Sequence, residues 1–179
     1  MSFTVLLLAG GKSLRMGEDK SLMFGGVSRK KDVLFRVGAR RVIVLCGDPS
    51  RMDDFEGEVW PDPQHCEGIH QVVKWAIEQL DDDVLLVPSD AFLLEEEACR
   101  AYVSLAKQGG VPVDKSGRRQ PLFSYIPKTH NVPVSTNSMR EMVLSLPTID
   151  TQEFGLCFTN FNFLDQVEEH QDELSRLQL

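Results

Sequence analysis

The feature that most constrains this chain is its opening run, Phe3-Thr4-Val5-Leu6-Leu7-Leu8-Ala9, which stops at Gly10-Gly11. An apolar run without alternation suits a strand buried on both faces of a parallel sheet. A glycine pair directly after such a strand lets the backbone approach a ligand closely and present N–H groups to an anion. Open α/β sheets bind ligands at the carboxyl ends of their strands, so this turn falls where a site is expected. The run is too short for a membrane span and no basic stretch precedes it, so neither a signal nor a membrane anchor is expected.

The remaining pattern alternates strands with helices. Strands are expected at 41–46, 58–60, 84–88, 110–113, 122–126 and 157–159, and helices at 28–37, 68–80, 95–107, 138–146 and 163–177. On the helix after Gly68, the residues Ile69, Val72, Val73, Ala76, Ile77 and Leu80 share one side, and Trp75 reads as a core residue. This order predicts an α/β fold with a mostly parallel sheet, in one domain over residues 1–179. Residues 110–150 are the least periodic and fit an elaboration at one sheet edge. A hydrophobic share of 42% with 26% charged residues excludes a disordered chain or a coiled coil. Four cysteines without a C-x-x-C pair read as reduced thiols of a cytoplasmic protein.

The net charge of −8 is unevenly spread: residues 1–41 carry +6 and the remainder −14. A short basic block on an acidic protein points to a local anionic ligand, not to nucleic acid, which needs a wider basic surface. Arg29 to Lys31 and Arg40–Arg41 read as solvated faces around a helix. Arg15 and Lys20 follow the glycine turn and suit a triphosphate, Arg as a fork and Lys as a point charge. The turn is not a Walker A loop, because Leu6 stands where that motif needs glycine before Gly11-Lys12-Ser13.

Downstream, Asp90 follows the strand Val84 to Pro88. A carboxylate there can hold Mg²⁺ with water and phosphate oxygens, and it can equally cap a helix or close a turn. Asp62 lies in a Pro-Asp-Pro turn. Asn160 and Asn162 alternate, so on an extended segment both amides point to one face. His65, Cys66 and His70 match no common zinc spacing.

Residues 8–20, Leu-Ala-Gly-Gly-Lys-Ser-Leu-Arg-Met-Gly-Glu-Asp-Lys, closely resemble the L-A-G-G-x-S-x-R-M-G-x-D-K signature of molybdenum cofactor guanylyltransferases. That family belongs to the nucleotide-diphospho-sugar transferase-like superfamily. Further resemblances follow in order: Val87-Pro88-Ser89-Asp90 to V-P-C-D, Gly117-Arg118-Arg119-Gln120-Pro121-Leu122 to G-x-x-Q-P-L, and Phe158-Thr159-Asn160-Phe161-Asn162 to F-x-N-x-N. The resemblance implies a three-layer Rossmann-like sandwich. It implies nucleotide binding by Leu8, Ala9, Gly10, Gly11, Arg15, Lys20, Asp62 and Asp90, with Arg15, Lys20 and Asp90 catalytic and Asp90 the Mg²⁺ ligand. Asn160 and Asn162 would contact the acceptor.

The implied reaction transfers GMP from GTP to molybdopterin or Mo-molybdopterin, with Mg²⁺ and release of pyrophosphate. A molybdoenzyme or a cofactor-delivery protein would be a further partner, and neither nucleic acid nor a membrane is implied. The chain departs from the pattern at His65-Cys66-Glu67-Gly68, where a G-P-L-x-G turn is usual, and at Gly47-Asp48, where an Asn is usual. Two alternatives stand beside this reading. One is a transferase of the same fold with a cobinamide-phosphate or sugar-phosphate acceptor. The other is a non-catalytic nucleotide-binding adaptor.

Overall fold

The computed structural model describes residues 2–11, 23–161 and 164–176. Five strands form the main sheet. Strand β1 (Phe3–Leu8) lies at its centre, and every one of its residues is buried. It pairs in parallel with β2 (Ala39–Gly47) on one side, and β2 pairs in parallel with β3 (Glu58–Pro61). On its other side β1 pairs in parallel with β4 (Asp83–Pro88). A separate short pair is formed by β5 (Val111–Pro112) with a strand described below. The outermost strand of the main sheet, β6 (Tyr125–Ile126), runs antiparallel to β4, giving the order β3-β2-β1-β4-β6.

Alternate residues of the buried strands feed two cores, as the period of two requires. Phe3, Val5, Leu7, Val44, Leu85 and Val87 face α1 (Gly26–Val37) and, across β4, a helix near the sheet edge. Leu6, Leu8, Ile43, Leu45, Val84 and Leu86 face α2 (Ile69–Glu78), which contributes Val72, Val73 and Ala76. The edge helix is α3 (Glu96–Leu105), placing Ala98, Cys99 and Tyr102 in the first core. Helix–sheet–helix layering follows: removing any of these inward side chains leaves a cavity costing about 2–5 kcal/mol for Leu→Ala. Tyr102 ties α3 to the edge, because its hydroxyl donates toward the carbonyls of Gly110 (2.8 Å) and Phe123 (2.9 Å) and accepts from the Tyr125 amide (3.0 Å).

Several expectations change in the C-terminal third. The helix expected over 138–146 is only α4 (Met139–Met142). Pro147 follows five residues later, and Arg119 takes the carbonyls of Val143 (3.2 Å) and Leu146 (2.9 Å), which a longer helix would use internally. The strand β7 (Thr148–Ile149), too short for a visible period, pairs in parallel with β5. No strand forms at 157–159. There Cys157 donates to the Phe154 carbonyl (3.2 Å) and Thr159 to Leu156 (3.0 Å), so the amides are spent in turns. The closing helix is two, α5 (Leu164–Glu169) and α6 (Gln171–Ser175), broken at His170, whose ring pairs with Glu173 at 2.9 Å. Trp75 is half-buried, stacked edge-on against Trp60 at the rim of the second core. Among the described residues, no helix is long and apolar enough to cross a membrane.

Candidate functional site

The order of the strands reverses between β1 and β4, and the crevice beyond their carboxyl ends is where such sheets take ligands. Register places four strand ends level. Leu8 lies beside Leu45 and Pro88, and Gly47 beside Pro61. The segments leaving these ends are therefore neighbours: Ala9-Gly10-Gly11, Gly47-Asp48, Asp62 and Ser89-Asp90.

Their backbones are cross-tied. Ala9 donates to the Leu45 carbonyl (2.9 Å), Ser89 to Leu8 (3.0 Å), and Asp62 to Gly47 (2.8 Å). Gly10 and Gly47 touch: a Cβ on Gly47 would lie 2.7 Å from the Gly10 oxygen, and Gly47 has φ +79°. A Cβ on Gly10 would lie 3.6 Å from Asp62 Oδ2. Of the expected site residues, Leu8, Ala9, Gly10, Asp62 and the Asp90 segment thus meet at one edge. Gly11 has open space around its Cα. Arg15, Lys20 and Asn162 lie outside the described residues.

Burial raises the Asp62 carboxyl above the usual range, against a backbone hydrogen bond from Gly47 that lowers it. Asp90 is half-buried, and its carbonyl accepts from the Phe161 amide (3.3 Å). That bond joins the turn after β4 to the segment carrying Asn160. Among the described residues, no group of three or more His, Cys, Asp and Glu gathers to hold a metal ion. Asp90 offers hard carboxylate oxygens, which fits Mg²⁺, an ion commonly held by one or two carboxylates plus substrate phosphates and water.

Two basic residues that sequence reasoning missed organise this edge. Arg51, 8% exposed, follows β2 and donates through Nη1 to the carbonyls of Ala9 and Cys46 (3.1 Å for the latter). Its guanidinium is anchored by Asp54 (3.7 Å) and lies over the Phe55 ring (5.3 Å to the centroid). No spacing rule points to it, because its partners are main-chain carbonyls distant in sequence.

Lys30 is the second, and it corrects the solvated reading of Arg29 to Lys31. Lys30 is 1% exposed, donates to the Gly26 carbonyl (3.3 Å) and sits 5.4 Å from the Phe92 ring centroid. Burial pulls its ammonium down to about 7, aided by Arg29 and opposed by Asp90. Arg29 is also committed, donating to the carbonyls of Phe92 (3.1 Å) and Leu94 (3.2 Å). The sequence carried the signal, since Lys30 falls three residues after Val27 and three before Val33, on the buried face of α1.

Beside the edge lies an open cleft of about 680 Å³. Arg118, Arg119, Arg140, His70, Gln120 and Asn160 are among its lining. The Nε of Arg119 is buried without a hydrogen-bond partner among the described residues. Three arginines line this cleft, with Arg118 paired to the Asp114 carboxylate (3.2 Å) and Arg119 donating to the carbonyls of Val143 and Leu146.

Fold and family together define a nucleotidyltransferase domain built on a mostly parallel α/β sheet. The family model of the MobA-like NTP transferase domain matches residues 5–138, and the chain belongs to that family. Among solved structures, it is similar to molybdopterin-guanine dinucleotide biosynthesis protein A from Archaeoglobus fulgidus, at 14% identity and a TM-score of 0.69, over 97% of this chain and 100% of that one. It is similar to a nucleotidyl transferase from Methanothermobacter thermautotrophicus, at 12% identity and a TM-score of 0.69, over 97% and 98% of the two chains. The protein Rv0371c of Mycobacterium tuberculosis aligns at 16% identity and a TM-score of 0.67, over 95% and 97%. These likenesses concern the fold. No curated protein matches the sequence.

Proposed function

We propose that this chain is a molybdenum cofactor guanylyltransferase, moving GMP from GTP to molybdopterin or Mo-molybdopterin. The observation that carries the reading is the convergence of the Gly10–Gly11 turn, Asp62 and the Asp90 segment on one sheet edge beside a basic cleft. Residues 8–20 supply the guanylyltransferase form of the motif.

In this reading a terminal phosphate oxygen of the acceptor attacks the α-phosphorus of GTP. The new P–O bond forms as the bond to the β-phosphate bridging oxygen breaks, and pyrophosphate leaves. The attacking oxygen is already anionic, so no side-chain nucleophile is needed. Positioning and charge neutralisation carry the rate. The amides of Gly10 and Gly11 face the phosphates, with Arg15 and Lys20 supplying cations by motif. Asp62 binds the nucleotide. Asp90 is the residue that would hold Mg²⁺, which when bound neutralises charge on the phosphate oxygens. Asn160 and Asn162 orient the acceptor, and Arg119 and Arg140 favour its anionic end. Catalysis in a cytoplasmic setting suits the free thiols of Cys46, Cys66, Cys99 and Cys157.

Calorimetric titration with GTP, ATP and CTP, with and without Mg²⁺, tests the nucleotide half. Selective, Mg²⁺-dependent GTP binding is expected. Absence of binding by all three favours the non-catalytic adaptor. A second acceptor class, a sugar phosphate or cobinamide phosphate, is favoured by one observation: the altered His65 to Gly68 turn leads into the cleft wall at Gly68, Ile69 and His70. Turnover with those acceptors and not with molybdopterin would select it.

A further inference from the structure

Asp114 stands out as a buried carboxylate, 3% exposed, on the floor of the acceptor cleft and outside the motifs. It sits at the base of a tight turn. Its own amide donates to the Arg118 carbonyl (2.9 Å), and the Gly117 amide donates to its carbonyl (2.8 Å). Oδ1 accepts from the amides of Ser116 (2.9 Å) and Arg118 (3.0 Å). Those bonds fix the carboxylate plane. Oδ2 accepts from Gln120 Nε2 (2.8 Å) and from Arg118 Nε (3.2 Å).

A carboxylate accepts only, so it can meet only the NH₂ end of Gln120. The other hydrogen of that NH₂ goes to the Arg118 carbonyl (3.3 Å). Gln120 Oε1 is thereby turned toward Asn160, whose Nδ2 donates to it (3.4 Å). Polarity thus passes in one direction along three side chains, from an anion that cannot flip to an amide on the cleft wall.

We propose that Asp114 is a positioning residue: acting through Gln120, it fixes the orientation of the Asn160 amide, with Nδ2 toward Gln120 and the buried Oδ1 turned away from it, in the wall the acceptor would meet. This rests on the reading of Asn160 as an acceptor contact. An amide that could flip would offer the acceptor a donor and an acceptor in turn. The carboxylate removes that choice before the acceptor arrives, which is preorganisation.

The chain makes a prediction that a merely structural residue would not. Asp114→Asn keeps the size and leaves Oδ1 for the two backbone amides. Its NH₂ then faces the NH₂ of Gln120, and Gln120 and Asn160 must invert or separate. The double variant Asp114→Asn/Gln120→Glu restores donor to acceptor at both joints, and restores the net charge. It loses the bond to the Arg118 carbonyl and the ion pair from Arg118 Nε, so recovery is partial.

The experiment compares wild type, Asp114→Asn and the double variant in two arms. In the first, the side-chain amide signals of Asn160 are followed by ¹⁵N NMR without ligand, assigned by their loss in Asn160→Asp. They are expected to move in Asp114→Asn and to return toward wild type in the double variant. In the second, kinetics with GTP and molybdopterin should show the acceptor KM raised about tenfold in Asp114→Asn, the loss of about one hydrogen bond, with the GTP KM unchanged. The double variant should recover most of it. Asn160 signals unmoved in a folded Asp114→Asn, or not restored in the double variant, would overturn the proposal. Restored signals with no turnover by wild type would instead remove the molybdopterin reading and leave the role of Asp114 standing.

Discussion

Gly10, two residues beyond β1, and Gly47, the last residue of β2, are packed backbone against backbone. A Cβ on Gly10 would stand 3.0 Å from both the Cα and N of Gly47, and one on Gly47 would stand 2.8 Å from the Gly10 Cα. The Gly10–Gly11 turn is therefore seated on a second glycine that the motif does not include. Gly47→Ala should strain a backbone at φ +79° and push Gly10 out of place. The positive φ alone costs about 1–3 kcal/mol. Urea unfolding should show that loss, and GTP affinity should fall with it. An unchanged midpoint and affinity would mean the two turns are independent.

Arg51 holds the same turn from beneath, through the carbonyls of Ala9 and Cys46. Arg51→Met should leave both carbonyls buried without their donor, at about 1.5–3 kcal/mol per charge-assisted hydrogen bond. Arg51→Lys should recover only part, because a point charge replaces a planar fork. Chemical denaturation and GTP titration of both variants check the order wild type, Lys, Met.

Lys30 predicts a pH dependence. Its ammonium is pulled down to about 7 from the ordinary 10.5, by burial first. Between those values the unfolded chain binds a proton that the folded chain lacks, so wild-type stability gains with rising pH across that window. Below about pH 7 the cost of the buried charge stands in full. Lys30→Met, close in size, removes that cost. The variant should exceed wild type in stability most at pH 6, with the gap closing toward pH 10. A gap independent of pH, measured by urea unfolding, would contradict a proton-linked cost at Lys30.

Two variants separate chemistry from folding. Lys20→Ala and Asp90→Asn should each lower turnover, on the order of 10²–10³-fold if each stabilises transferring phosphate. Thermal melts should stay near wild type. Asp90→Asn should also raise the Mg²⁺ concentration needed for half-maximal rate, whereas Lys20→Ala should not. Wild-type turnover in either variant removes that residue from the mechanism.

The core of the fold was legible because its signals are strong and local. Phe3 to Leu8, Val42 to Cys46 and Val84 to Pro88 are apolar runs that suit a sheet covered on both faces. The turn at Gly10 was legible for the same reason, since glycine at a strand end has few other uses. The C-terminal third was less so. Its strands are two residues long, and the stop of α4 depends on Arg119, distant in sequence. Lys30 was misread by residue type although its spacing was correct. Arg51 and Asp114 carry no sequence signal, because each acts on groups that folding brings to it.

The most direct test of the account is pyrophosphate release from GTP, ATP or CTP on addition of molybdopterin, with and without Mg²⁺. Release from GTP alone, requiring both molybdopterin and Mg²⁺, is the predicted result. GTP bound tightly at this edge with no pyrophosphate released to molybdopterin would contradict it.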